Sequence, residues 1–135
     1  MSNKEKIESY MLQMEILHEE LDEGLWLLYE YENSSQKLIV SDSDSIIHFR
    51  MKVMEIPKDR NTHCDLFRKL LEINATSLSH GAFAIEENII VLIDSLQAEN
   101  LDFNEFQASV EALFLGIIDT YEDLSKYVEK QHAVK

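Results

Sequence analysis

The sequence predicts an α+β fold ordered α-βββ-α-ββ-α, with a five-stranded, antiparallel-rich sheet on which the helices pack. Three observations carry this expectation. From Ile46 to Glu55 the chain alternates: Ile47, Phe49, Met51 and Val53 fall on one side, His48, Arg50 and Lys52 on the other. That is the pattern of a strand with one buried and one wet face. Gly81 to Ile93 reads as a hairpin closed at Glu87-Asn88, because Asn tolerates the positive φ of a two-residue turn. Phe103, Phe106, Val110, Leu113, Phe114, Ile117, Tyr121, Leu124 and Val128 recur at helical spacing, widened by Leu115 and Ile118. So apolar a stripe must lie on something. Runs of strands separated by helices, rather than strict alternation, indicate α+β.

The elements follow in order. Residues 4–17 form a helix with Ile7, Tyr10, Met11 and Met14 at i, i+3, i+4 and i+7. Glu19 to Gly24 is acidic and breaks the period. Leu25 to Tyr31 is rich in aromatic and aliphatic residues and forms the first strand. Asn33-Ser34-Ser35 turns the chain into a second strand, Lys37 to Val40, and Ser41 to Ser45 turns it into the alternating third, which Pro57 ends. Asn61 or Thr62 caps a middle helix with Leu66, Phe67, Leu70, Leu71 and Asn74 on one stripe, and Asn74 leaves it in the left-handed conformation. In the hairpin Phe83 pairs with Leu92 and Ile85 with Ile90 on one face. Ala82, Ala84, Ile89, Val91 and Ile93 occupy the other. Both faces of the second hairpin strand are apolar, so both are expected to be covered, one by helices and the other by a second copy. Asp102 caps the last helix, with Glu105 reciprocating three residues on.

Composition narrows the function. The 135 residues are 45% hydrophobic, with three Gly and one Pro, and are expected to form one domain, 1–135. A net charge of −14, from 26 acids and 12 bases, repels phosphate backbones and anionic lipid. Neither a nucleic acid nor a membrane is expected as partner, while basic protein segments would suit. Cys64 is the only cysteine, which excludes an intrachain disulfide and fits a reducing compartment. No apolar leader follows Lys4-Glu5-Lys6 and no apolar run reaches membrane length. A cytoplasmic protein is expected.

Chemistry-bearing patterns are sparse. Asp42-x-Asp44 lacks the further oxygen ligands of a calcium loop. His63 and Cys64 are neighbours, and adjacent helical residues point about 100° apart, so they do not converge on one ion or reacting atom. No phosphate-cradling glycine loop and no nucleophile elbow is present. No catalytic residue, metal or cofactor is expected. Met11 and Met14 are adaptable apolar side chains, suited to cores and to binding surfaces alike. Trp26 is a recognition anchor if exposed and a core residue if buried.

Leu70-Leu71-x-x-Asn74, Gly81-x-Phe83-Ala84-Ile85, Ile90-Val91-Leu92 and Leu101-Asp102 with Phe106 resemble the YbjN-like and type III secretion chaperone-like group. Ile7-x-x-Tyr10-Met11 and Glu23-Gly24-Leu25-Trp26 fit it upstream, so the resemblance spans Ile7 to Tyr127. The turn Glu86-Glu87-Asn88 departs from the Gly such sequences often carry. The resemblance implies a homodimer that holds an extended segment of a client polypeptide and does no covalent chemistry. On this reading Leu66, Leu70, Ala82, Ala84, Ile89, Val91 and Ile93 form the dimer interface, and Ile7, Met11, Met14, Trp26 and Leu28 meet the client. The alternative is a YbjN-like cytoplasmic regulatory or adaptor protein that binds a folded partner.

Overall fold

A computed structural model describes residues 1–128; residues 129–135, the end of the expected domain, lie outside the described residues. The elements are α1 (Asn3–Met14), β1 (Leu17–Asp22), β2 (Leu25–Tyr29), β3 (Leu38–Asp42), β4 (Ile46–Glu55), a 3-10 turn (Arg60–Thr62), α2 (His63–Thr76), β5 (Ala82–Glu86), β6 (Ile89–Gln97), α3 (Phe103–Asp119) and α4 (Tyr121–Ser125). The fold is α+β. Its sheet runs β1-β2-β3-β4-β6-β5, every neighbouring pair antiparallel.

The sheet has six strands, not the expected five. β1 is the addition, read from the sequence as the end of the first helix and an acidic break. Five of its six residues are exposed. An edge strand over solvent has little to bury, so its side chains show no apolar alternation. What makes it a strand is its ladder with β2, turned at Gly24, whose φ of +74° suits a residue without Cβ. The helix before it stops at Met14 because Glu15 adopts φ 57° and returns its N–H to the carbonyls of Met11 and Leu12.

One face of the sheet carries Trp26, Leu28, Leu38, Val40, Ile47, Phe49, Met51, Met54, Phe83, Ile90 and Leu92, and these share one core with all the helices. Ile7 and Met11 arrive from α1, Leu66, Leu70 and Ile73 from α2, and Phe106, Val110, Leu113, Phe114 and Ile117 from α3. A bulge between Lys52 and Met54 shifts the β4 alternation, so Met54 turns into the core where Val53 was expected. The capping box of Asp102 and Glu105 starts α3 as expected. The long helix then breaks at Thr120, whose hydroxyl donates to the Gly116 carbonyl at 2.7 Å. Beyond the break Leu124 remains buried. Tyr121 and Val128 are exposed, and so are Leu115 and Ile118 on the outer side of α3.

Near the hairpin two further expectations change. Glu87, not Asn88, carries the positive φ of the two-residue turn. Asn74 does not leave α2; the helix continues to Thr76, and the Asn74 carboxamide turns toward β5.

Candidate protein-binding surface

Because all the helices among the described residues lie on one side, none of them covers the second face of the sheet. Leu25, Leu27, Tyr29 and Ile39 lie there half-buried, beside His48, Arg50 and Lys52 of β4. Val91 is nonetheless 1% exposed although it stands outside the core. The Arg50–Glu86 ion pair explains this. Arg50 sits opposite Ile93 and Glu86 opposite Ile89, so the pair crosses β6 diagonally where Val91 lies between them.

A second apolar surface lies at the β5 edge. Phe67, Leu70, Leu71, Phe83, Ala84 and Ile85 line a groove of about 220 Å³ between α2 and β5. Leu71 is 67% and Ile85 50% exposed there. Two large aliphatic side chains left in water beside a half-buried Phe67 form a contiguous patch rather than scattered surface residues.

The residues expected to meet client and copy are placed as follows. Ile7, Met11, Trp26 and Leu28 are fully buried, so they are core of this chain and offer no surface; the Trp26 indole reaches Glu8 at 3.4 Å from within. Met14 is half-buried at the rim of that core. Leu66 and Leu70 also belong to the core. Ala82, Ala84, Ile89, Val91 and Ile93 lie on the open sheet face, Ala84 also bordering the α2–β5 groove. The seven residues expected at a dimer interface thus divide between the core, which takes Leu66 and Leu70, and the open sheet face, which takes the other five. The sequence does hold a signal for the groove: a stripe two residues wide, Leu66-Phe67 and Leu70-Leu71, is broader than one packed face needs, and its outer members remain outside.

The family model CesT_Tir_1 matches residues 1–130. The chain belongs to this family, a family of type III secretion chaperones. No curated protein sequence matches it. Solved structures similar to this CesT_Tir_1 chain include a chain of the HopA1–SchA chaperone–effector complex, at 12% identity and TM-score 0.63 over 86% of this chain and 90% of that one. The heterodimeric ExoU–SpcU complex from the type III secretion system of Pseudomonas aeruginosa matches at 14% identity and TM-score 0.64, over 91% and 98%. YbjN from E. coli matches at 14% and 0.62, over 88% and 91%. At these identities the likeness is one of fold.

In this family member His63 and Cys64 do not converge on one point. The His63 ring donates to the Pro57 carbonyl at 2.6 Å and lies 5.3 Å from the Phe67 ring, while Cys64 points to solvent. His63→Ala and Cys64→Ser are expected to leave oligomeric mass and metal content unchanged. Light scattering and elemental analysis check this; stoichiometric metal lost in either variant would contradict it. Among the described residues no helix is long and apolar enough to cross a membrane.

Proposed function

We propose that the chain is a non-enzymatic secretion chaperone, acting in the cytoplasm as one domain and as a homodimer that binds an extended client segment. The observation that carries this reading is the exposed α2–β5 edge on a chain whose family is one of chaperones. Two copies that pack Phe67, Leu71 and Ile85 against each other would remove the apolar patch from water, at roughly 25 cal/mol per Å² of apolar area. Half-buried Leu25, Leu27, Tyr29 and Ile39 on the open sheet face, with Met14 at the rim of the core, are then available to an apolar client segment. The net charge of −14 favours clients with basic flanks.

Light scattering after size exclusion tests the dimer. The wild type is expected at the mass of two chains, and Leu71→Glu/Ile85→Glu at the mass of one, with unchanged circular dichroism. Both residues are exposed in the single chain, so the charges disturb the interface and not the fold. Burying them there costs several kcal/mol, enough to weaken association by more than about 100-fold. A wild type of one-chain mass across micromolar concentrations refutes the dimer. Recovery from native cytoplasm together with an unfolded segment of a secreted protein supports the chaperone reading. A stoichiometric folded partner supports instead a regulatory role, the reading that the likeness to YbjN keeps in play.

A further inference from the structure

β5 ends the sheet, so one side of its backbone has no strand beside it. In an antiparallel ladder each residue either exchanges both backbone groups with the partner strand or turns both outward. Phe83 turns both outward. Its N–H donates to Asn74 Oδ1 at 2.7 Å, and its carbonyl accepts from Asn74 Nδ2 at 3.1 Å. A helix side chain thus makes the two hydrogen bonds that the backbone of an added strand would make. By the same alternation, the next outward-facing residue within the strand is Ile85, one position before the strand ends at Glu86. An incoming strand would find a single residue's backbone groups there, too few to hold it.

We infer that Asn74 decides how a second copy meets this edge: through side chains of α2 and β5, with strand-to-strand pairing of two β5 edges blocked. Unpaired edges invite sheet extension between copies, and natural sheets guard them. Here the guard is a carboxamide, which can both accept and donate in one plane. Leu71 and Ile85, exposed at the groove, with half-buried Phe67 beside them, remain to meet the copy through side chains. The mode of contact rests on the dimer proposed above, but the guarding role is read without it.

Asn74→Ala in the full chain tests the role, by amide hydrogen exchange and by light scattering over a range of concentrations. The Phe83 amide is expected to exchange at least about ten-fold faster, as when one hydrogen bond is lost. The mass is expected to climb with concentration above that of the wild type, whatever the wild-type mass is. Adding Ile85→Pro removes one of the two outward N–H groups then open, a substitution that an edge strand tolerates, and brings the mass down to the wild-type value or, through the loss of the Ile85 side chain from the dimer contact, below it. Wild-type mass for Asn74→Ala at every concentration, or a raised mass that survives Ile85→Pro, overturns the inference. If Asn74→Ala does not fold, Asn74→Asp is read by the same mass criterion, since it keeps the acceptor for the Phe83 N–H and lacks the donor for its carbonyl. A one-chain wild type whose Asn74→Ala variant assembles would refute the dimer and support the guard.

Discussion

Phe106→Ala is expected to remove about 4 kcal/mol of stability. Phe106 is fully buried, and its ring lies 5.7 Å from Tyr10 of α1 and 5.6 Å from Phe49 of β4. One side chain therefore joins the first helix, the last long helix and the middle of the sheet. Truncation forfeits its transfer energy and leaves a cavity among three elements that cannot all close on it. A whole domain has about 5–15 kcal/mol in hand, so the loss threatens folding at body temperature. Denaturant midpoints measure it, and a change below about 1 kcal/mol would mean that the three elements collapse freely into the gap. A second readout follows from Tyr10. Burial, then the nearby Asp102 and Glu105 carboxylates, raise its phenol above the ordinary value, and its hydroxyl donates to the Leu101 carbonyl. With Phe106 truncated, water reaches the phenol, and its absorbance titration is expected to move down in pH.

Gly81→Ala is expected to cost about 3 kcal/mol or more, the sum of a left-handed backbone penalty and overpacking. Gly81 has φ +78°, and a Cβ there would stand 2.6 Å from the Ile93 carbonyl oxygen and 2.9 Å from Leu113 Cδ2. The carbonyl belongs to the ladder and cannot move aside without loosening β6. Gly24→Ala is the control. Its φ is +74°, but the nearest atoms lie 3.6 Å away, so only the backbone penalty of about 1–2 kcal/mol applies. Thermal melts of both variants separate close approach from conformation; equal losses would show that the contact at Gly81 is relieved by relaxation.

The fold class was legible wherever a side chain had a core to enter. The β4 alternation, the Phe83–Leu92 and Ile85–Ile90 register and the α3 stripe up to Ile117 all came through because burial imposes a period. β1 did not, since Glu19, Glu20 and Asp22 sit over water and only their backbone takes part in the sheet. Breaks were equally hidden. Nothing in a pattern of apolar residues tells that Thr120 will bond back to Gly116, or that a bulge will exchange Val53 for Met54. The surface was read least well, for a related reason. Ile7, Met11, Trp26 and Leu28 are the kinds of residue a binding site uses and also the kinds a core uses, and sequence weighs these two alike. Leu71 and Ile85 differ from them only in position, on the outer shoulder of a helix and the rim of a sheet.

The strand order has a consequence for how the chain assembles itself. β1 to β4 each pair with the strand before or after them in sequence, so this half of the sheet closes through short loops. β4 and β6 meet only after residues 56–88 have been brought round, with α2 and β5 inside the loop. Closing that span costs more entropy than any turn in the first half and is repaid only when the ladder forms. The meander is thus a template that the second half joins late. During synthesis the N-terminal half emerges first, with one edge of β4 open until β6 arrives.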